Sequence, residues 1–434
     1  MAPLTFAHVL LICACRPARP LARSLDRRAV LRAGAGFAAG AATSHPAWPA
    51  AAVPTLDGYE PLSAETAASA GRAYFPPLTP PLFSRATYRY ELGRDAWALE
   101  QLLTFANVSA TVRTVVVRMA DGGLWVDGPQ WPTGEYMRLL DELGPVRHVV
   151  LPCVALEHKA PMKAFCKKYP GASVWVAPGQ YGPFGSCGLD IASAKMGYRV
   201  DGVLPIGDPA DSTAPKPPWA DEFDYRTLYV SLPENAGPVS ETAFLHKPTR
   251  TLVTTDAVVW VPDAPPPIFR TYFSDADLAS PDFWPKTVLQ AVFLPLRQAE
   301  GERRNLGAAL GAEADARWPG YAAVRGRVLR APILRAFADA RAPDEVRSWV
   351  RSIASMGKFD RILTAHFASP IRAAPADFAG AFGYLDGVQA DIACEDWSLL
   401  DGLNGVIEQN KLGAPVVYDF KKGCRPISSA SITS

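Results

Sequence analysis

Three short apolar segments of this sequence end in side chains that bind metals or transfer protons. Glu157 and His158 follow VVLP, Asp256 follows LVTT, and His366 follows RILTA. Because strand ends converge on one edge of a sheet in α/β folds, residues about 100 positions apart can meet there. Each of these side chains is a candidate metal ligand or acid/base group. The pattern therefore predicts a metal-binding or acid/base site at that edge.

The dipeptide Glu157-His158 also has a simpler interpretation. A glutamate in the first turn interacts favourably with the helix dipole, and the histidine beside it would then be solvated. This stretch alone favours neither interpretation. The downstream residues Asp256 and His366 shift the balance toward a site.

Other reactive residues form no recognisable motif. His148 begins a predicted strand and His246 ends one, so we expect structural or surface roles for both. The cysteines outside the N-terminal segment are scattered, odd in number and without a CxxC pair, so we expect neither a zinc knuckle nor a disulfide framework. The glycine-rich segment 179–188 lacks the GxGxxG pattern and a phosphate-binding lysine, and we interpret it as a pocket rim.

Composition and charge limit the class of protein. The chain has 434 residues, of which 49% are hydrophobic and 20% charged, as in a globular protein. The net charge is +1, but the first 50 residues carry six arginines against one aspartate, which leaves about −4 on the remainder. The body of the protein therefore has no basic footprint, and we expect no nucleic-acid partner.

The N-terminal segment resembles a two-part targeting leader. Residues 1–25 contain arginines but no acidic residue, as transit peptides do. Arg27-Arg28 then precedes a small, apolar run over 33–42, which is the pattern of a twin-arginine signal. Small residues at 50–52 provide a cleavage site. We therefore predict import into the chloroplast and then into the thylakoid lumen. The alternatives are a low-complexity stretch and the leader of a bacterial exported protein.

Composition also divides the chain. Residues 1–52 form the predicted leader and 53–86 a Pro/Ala-rich linker, with order beginning near Thr87. The main domain covers 87–390, and 391–434 form a C-terminal extension in which structural signals fade, with a polar tail at 421–434. No segment of the mature chain has 18 uninterrupted apolar residues, so we predict no spanning helix.

The sequence predicts alternating strands and helices, and these elements must position the candidate ligands. Asp121-Gly122-Gly123 between apolar runs predicts a β-hairpin over 112–126, and Thr133 opens an amphipathic helix. Further strands are predicted at 147–151, 173–177, 227–232, 242–246, 251–255 and 361–363. Further helices are predicted at about 159–169, 283–297, 322–340 and 343–355.

The chain resembles the metallo-β-lactamase-like superfamily in its order of segments, its opening hairpin, the loop with Glu157-His158, the Thr-Asp at 255–256 and the Ala-His at 365–366. More narrowly, a branch of plastid and cyanobacterial proteins known only as a domain of unknown function is similar to the segments RMADGGLWVDGPQWPT, LPCVALEHK, SVWVAPGQYG, FLHKPTRTLVTTDAVVWV and ILTAHFASP. The resemblance implies an α/β fold, an αββα sandwich with additional C-terminal helices. We expect the hairpin 112–126 and the strand 147–151 in one sheet, and the strands at 227–232, 242–246 and 251–255 in the other sheet or at its junction.

The superfamily's HxHxDH loop aligns with the segment 153–158. Cys153 and Ala155 stand where its first two histidines would be, Glu157 replaces the aspartate, and His158 is retained. The resemblance therefore implies the loss of the first metal site of the superfamily.

The second metal site keeps a counterpart for each ligand. Asp256 matches the aspartate that commonly bridges two metals, and His366 matches the final histidine. The intermediate histidine, a ligand of the first metal, has no counterpart, and Glu241 is the nearest polar residue. The resemblance implies a single metal, Zn, Fe or Mn, held by Glu157, His158, Asp256 and His366.

Two classes of function remain open. The first is a hydrolase of an ester, thioester or lactone that uses a water on the metal, with Glu157 and Asp256 in catalytic roles and an unidentified small molecule as substrate. A mononuclear iron oxygenase is closely related, because two histidines and a carboxylate with open positions also activate oxygen. The second class is a non-catalytic plastid scaffold or binding protein. In that case Glu157, His158 and Asp256 hydrogen-bond one another.

Overall fold

Two β-sheets lie face to face at the centre of the molecule. A computed structural model describes residues 52–53, 85–105, 108–180, 196–232, 238–293, 319–388, 392, 394–409 and 413–419. The predicted leader up to residue 51, the polar tail at 421–434 and most of the glycine-rich segment 179–188 lie outside these residues.

The first sheet has eight strands within the described ranges, and they neighbour one another in chain order. They are β1 (Ala52–Val53), β2 (Tyr88–Glu91), β3 (Ala96–Phe105), β4 (Val108–Arg118), β5 (Leu124–Asp127), β6 (Val146–Leu151), β7 (Ser173–Val176) and β8 (Gly202–Val203). Neighbouring strands are antiparallel from β1 to β5 and parallel from β5 to β8. Gly122 turns the predicted hairpin of β4 and β5 at a φ of +80°, a left-handed conformation that favours glycine.

The second sheet, as far as it is described, has the strand order β15-β14-β11-β10-β9. The remaining strands are β9 (Phe223–Val230), β10 (Val239–His246), β11 (Thr251–Val253), β12 (Val259–Trp260), β13 (Val328–Leu329), β14 (Arg361–Leu363) and β15 (Ile371–Arg372), of which β12 and β13 form a separate pair. β11 and β14 run parallel, with Val253 beside Leu363. The segments that follow these two strands therefore leave the sheet at the same edge.

Helices cover both outer faces. The α-helices of the described residues are α1 (Gly134–Asp141), α2 (Leu156–Lys159), α3 (Met162–Lys168), α4 (Asp275–Ala279), α5 (Phe283–Phe293), α6 (Pro319–Val324), α7 (Pro332–Leu334), α8 (Pro343–Ser355), α9 (Pro375–Gly380) and α10 (Cys394–Gln409). Short 3-10 helices occupy Pro209–Asp211, Pro267–Thr271 and Gly383–Asp386, and a π-helical turn occupies Arg335–Asp339. As predicted, Thr133 caps α1, since its side chain accepts a hydrogen bond from the Tyr136 amide.

Three hydrophobic clusters define the layers. Between the sheets, Trp125 of β5 stacks on Phe223 of β9 at a ring-centroid distance of 4.4 Å and meets Phe244 of β10 edge-on at 5.1 Å. The outer face of the first sheet packs against α1 and α3, and the outer face of the second packs against α8, while α5 lies against β4 of the first sheet. Phe244 and Leu245 are neighbours in β10 but lie in different clusters, because successive side chains of a strand point to opposite faces. The layer order confirms the predicted αββα sandwich.

Several boundaries differ from the sequence-based predictions. The prediction of one helix over 322–340 is wrong, because α6, β13, α7 and the π-helical turn follow one another there. Gly326 breaks the segment at a φ of +69°, and Pro332 opens a new helix at its first position. The strands β2 and β3 were not among the predicted elements, and α10 lies where sequence signals fade.

Ala52 and Val53 pair with Tyr90 and Arg89 at the edge of the first sheet. Cys394 is disulfide-bonded, a single bond that the prediction of no disulfide framework did not include. Among the described residues no helix is both long enough and apolar enough to cross a bilayer.

Candidate metal centre

Parallel pairing of β11 and β14 brings Asp256 and His366 together. Asp256 follows Val253 by three residues, and His366 follows its paired residue Leu363 by the same number. The Ala365 amide donates to the Thr255 carbonyl (3.4 Å), so the two loops remain side by side past the end of the strands. Asp256 and His366 therefore occupy matched positions at one edge of the second sheet.

The loop after β6 brings Glu157 and His158 to the same edge. The Thr242 amide of β10 donates to the Pro152 carbonyl (2.8 Å), and the Val154 amide donates to the Ser240 carbonyl (3.2 Å). These bonds join the first sheet to the second at this point. The helix α2 begins immediately afterwards and carries Glu157 and His158 in its only turn.

The four predicted ligands meet. One donor atom from each of Glu157, His158, Asp256 and His366 can be chosen so that all lie within 4.8 Å of one another. The imidazole centroids of His158 and His366 are 5.4 Å apart. Because ligand atoms bonded at about 2.1 Å to one metal lie at most about 4.2 Å apart, small side-chain adjustments suffice to surround an ion. Within the part of the chain that the structure describes, no other group of three such donors occurs.

His366 is oriented by hydrogen bonds at both ring nitrogens. Its Nδ1 donates to the Thr111 carbonyl oxygen (2.6 Å), since a carbonyl can only accept. Its Nε2 lies 3.1 Å from Asp256 Oδ1. Burial opposes the charged ring, but the hydrogen bond and charge of Asp256 outweigh it and raise the pKa of His366. The Nε2 proton has to leave before this nitrogen can bind a metal.

His158 is the decisive side chain for the fit of a metal. It is 0% exposed, and neither Nδ1 nor Nε2 has a hydrogen-bond partner. Burial lowers the pKa of its imidazole to about 4, so the ring is neutral near pH 7 and keeps a free lone pair. The alternative of a solvated histidine is therefore wrong. Because an unsatisfied buried polar group costs about 1–3 kcal/mol, this ring fits a metal ligand better than a structural residue.

The two carboxylates repel each other across the site. Burial raises the pKa of Glu157, and the charge of Asp256 raises it further. For Asp256 burial acts in the same direction, but the hydrogen bond and charge of His366 outweigh it and hold the pKa of Asp256 below its usual value. A cation among these four groups relieves the repulsion, so their charges also fit a divalent metal.

The residues at the positions of the superfamily's first metal site do not form a set of metal ligands. Cys153 is buried and forms a β-bridge with Glu241, and burial raises the pKa of its thiol well above the usual value. Ala155 occupies the N-cap of α2. Glu241, the residue nearest the missing histidine in sequence, accepts hydrogen bonds from three backbone amides at 255–257. It supports the Asp256 loop instead of replacing a ligand.

The two other histidines in the described part of the chain have structural partners. His148 Nδ1 lies 2.8 Å from Ser173 Oγ. His246 Nδ1 lies 2.7 Å from Thr249 Oγ1, and its Nε2 lies 3.5 Å from Glu222. Their partnered nitrogens contrast with those of His158, and the two histidines have the structural roles predicted for them.

Buried polar residues around the site were not predicted from the sequence. Asp127 is 4% exposed with Oδ1 unpartnered, and burial followed by the charge of Glu241 raises its pKa well above the usual value. Burial lowers the pKa of Lys159 to about 7. Arg113 and Arg330 contact the ligand loops from distant segments. No local pattern marks these residues, because their partners lie far away in sequence.

A family model described as "Domain of unknown function (DUF4336)" matches residues 94–384, which lie within the predicted main domain. No curated protein matches the sequence.

Solved structures of metalloproteins are similar in fold. A metallo-β-lactamase from Hirschia baltica shares 9% identity over 69% of this chain and 97% of that chain, with a TM-score of 0.36. A metallo-β-lactamase from Pseudomonas aeruginosa in its mono-zinc form shares 9% identity over 69% of this chain and 95% of that chain, with a TM-score of 0.37. The metal-soaked Flv1 flavodiiron core from Synechocystis sp. PCC6803 shares 10% identity over 70% and 63%, with a TM-score of 0.39. The fold class itself follows from the layer order.

Proposed function

The chain belongs to the DUF4336 family, and we propose that it is a single-metal hydrolase acting on an ester, a thioester or a lactone. The observation that carries this proposal is the buried, neutral and unpartnered imidazole of His158 beside three further ligand groups. The scaffold alternative expects His158 to hydrogen-bond to the carboxylates, and the ring makes no such bond.

Glu157, His158, Asp256 and His366 would hold the metal, which would be Zn, Fe or Mn. When bound, such a metal lowers the pKa of water toward 7 and polarises a carbonyl oxygen. His158 contributes a neutral nitrogen, while the Thr111 carbonyl orients His366. Glu157 and Asp256 would be the carboxylates that accept a proton from the attacking water.

Hydrolysis by the full chain tests this proposal. We expect metal-dependent turnover of at least one of an aryl ester, an acyl thioester and a lactone, lost on chelation and restored by Zn, Mn or Fe(II). Asp256→Asn should lower kcat by about 100-fold or more, since it removes both a ligand charge and a proton acceptor. The control His246→Ala should keep full turnover, because His246 lies in a separate structural contact. Equal rates for the metal-loaded and chelated protein would contradict the proposal.

We further infer that the protein works in the thylakoid lumen, as a member of a plastid and cyanobacterial branch of the family. The two-part leader with Arg27-Arg28 supports this location. The disulfide at Cys394 also supports it, because disulfides are typical of oxidising compartments.

An import assay with isolated chloroplasts tests the location. The double substitution Arg27→Lys and Arg28→Lys in the full chain should leave import into the stroma intact and abolish transfer to the lumen, because it removes the arginine pair that defines the signal. Wild-type protein should be protected from protease inside thylakoids and should begin near Val53. Lumenal arrival of the double variant at the wild-type level would exclude this route.

A further inference from the structure

We propose that two buried networks hold the Asp256 and His366 loops in their ligand-presenting conformation before any metal binds, and thereby set the affinity of the site. The inference rests on the proposed metal site. The Glu241 network consists of Glu241, Arg330 and Asp339. The Arg113 network consists of Arg113, Glu100 and Thr111. No member of either network belongs to the ligand cluster, so their role would be to position the ligands.

The Glu241 network first fixes the amide side of the Asp256 loop. Glu241 Oε1 accepts hydrogen bonds from the amides of Thr255 (2.9 Å), Asp256 (2.9 Å) and Ala257 (2.8 Å). Successive amides that converge on one oxygen form a concave anion site, and here a side chain of the protein fills it. The backbone that presents Asp256 is therefore fixed by an anion from the neighbouring strand β10.

Arg330 fixes the carbonyl side of the same loop. Its Nη1 donates to the carbonyls of Asp256 (3.3 Å) and Ala257 (3.4 Å) and lies 3.9 Å from Glu241 Oε2. Its Nε and Nη2 bind the two oxygens of Asp339 at 3.0 and 2.9 Å, a bidentate pair that fixes the plane of the guanidinium. Both side chains of this pair are at most 1% exposed, so water cannot compete for these bonds.

The Arg113 network fixes the backbone of the His366 loop, as the Glu241 network fixes the Asp256 loop. Arg113 donates to the carbonyls of Thr364 and Phe367 (2.6 Å each), on either side of His366. The buried carboxylate of Glu100 holds the guanidinium at 2.5 Å. Thr111 accepts the Phe367 amide at its Oγ1 and the His366 ring at its carbonyl.

Backbone strain supports this assignment. Phe367 has a φ of +54°, a left-handed conformation that is uncommon for a bulky residue. Such conformations persist where surrounding bonds over-determine them, and they cluster at functional sites. At Phe367 both the amide and the carbonyl are bound by the Arg113 network. The strained residue therefore lies directly beside a ligand and is held by the proposed network.

Hydrogen exchange of the metal-free protein tests preorganisation without depending on metal. In Glu241→Leu the amides of residues 255–257 should exchange roughly tenfold faster or more, since each loses its acceptor. Glu241→Gln should stay near wild type, because an amide oxygen can still accept these bonds. The amides of β6 serve as the internal reference, since global destabilisation would accelerate them equally. Unchanged exchange at 255–257 in Glu241→Leu would overturn the proposal, whether or not the protein binds metal.

Metal affinity tests the consequence for the site. With Zn as the probe, Glu241→Leu, Arg330→Lys and Arg113→Lys should each weaken the Kd by about 10- to 100-fold while the folded state persists. Arg361→Lys is the matched control, because Arg361 is a buried arginine that donates to the carbonyls of Leu92 and Gly93 at the other end of β14. It should lower Tm and leave the Kd unchanged.

Hydrogen exchange and Zn affinity together decide whether the two networks position the ligands. Faster exchange with an unchanged Kd would overturn the link between the networks and the site. A weakening in Glu241→Gln equal to that in Glu241→Leu would show that charge acts instead of loop positioning, and would also overturn it. Wild-type protein that binds no Zn, Fe or Mn would refute the proposed function, while the exchange data would still decide whether the loops are preorganised.

Discussion

Replacing His158 by alanine is expected to weaken metal binding on the order of 100- to 1000-fold. Binding free energies of about 10–16 kcal/mol shared among four ligands assign roughly 2.5–4 kcal/mol to each. His158 contributes a neutral nitrogen that has no other partner, so its removal breaks no hydrogen bond of the fold. The lost affinity therefore reports the ligand itself. His366→Ala should have an effect of similar size, because His366 is the second nitrogen ligand of the cluster.

Calorimetric titration with Zn and metal analysis after dialysis measure this effect. His246→Ala is the control, since His246 is also buried but binds Thr249 and Glu222 away from the cluster. It should retain the wild-type stoichiometry and Kd. Wild-type affinity in both His158→Ala and His366→Ala would exclude this site and place any bound metal elsewhere.

Acid is expected to destabilise the metal-free protein through the same imidazole. Burial lowers the pKa of His158 to about 4 in the folded state, whereas an unfolded chain has the usual 6.5. Between these values the unfolded state binds the additional proton, so stability falls as pH falls from about 6.5 toward 4. The difference in pKa corresponds to about 3 kcal/mol over this window. Above pH 6.5 the His158 contribution does not change with pH.

Urea unfolding of the chelated protein at several pH values measures this slope, and His158→Gln supplies the reference without a titrating ring. The His366–Asp256 pair is present in both proteins. The raised pKa of His366 contributes stability below its unfolded value, and that contribution is lost as pH rises through the folded value. The lowered pKa of Asp256 contributes stability that is lost in stronger acid. Because His158 also interacts electrostatically with Asp256 and His366, only the part of these contributions that is independent of His158 cancels in the difference between the two proteins. Parallel pH profiles for wild type and His158→Gln would show that His158 is not buried in a neutral form.

The sequence predicts the meeting of the ligands because strand ends obey a simple rule. Asp256 and His366 follow short apolar strands. In the structure each lies three residues past the paired strand ends Val253 and Leu363, so the parallel pairing of β11 and β14 places them side by side. The sheet assignment implied by the resemblance is confirmed, since β4, β5 and β6 lie in the first sheet and β9, β10 and β11 in the second. The metal and catalytic roles of the four residues remain predictions.

The sequence does not predict contacts between residues that lie far apart in the chain and follow no local pattern. Arg330 lies in a segment with helical periodicity, and nothing local indicates that its guanidinium contacts the loop at 256–257. The same periodicity produced the wrong helix at 322–340, because Gly326 and Pro332 interrupt it. In the sequence, Glu241 is only the polar residue nearest the position of the missing histidine. Its role as the acceptor for three amides depends on the pairing of β10 and β11.

Metal analysis of the wild-type chain tests the central claim most directly. The full chain is purified, equilibrated separately with Zn, Mn and anaerobic Fe(II), freed of unbound metal and analysed by mass spectrometry. The cluster of Glu157, His158, Asp256 and His366 predicts about one metal ion per chain for at least one of these metals. The same treatment of the double variant His158→Ala/His366→Ala should leave none. A wild-type chain that retains less than about a tenth of an equivalent of every metal would contradict the site and the hydrolase function proposed from it.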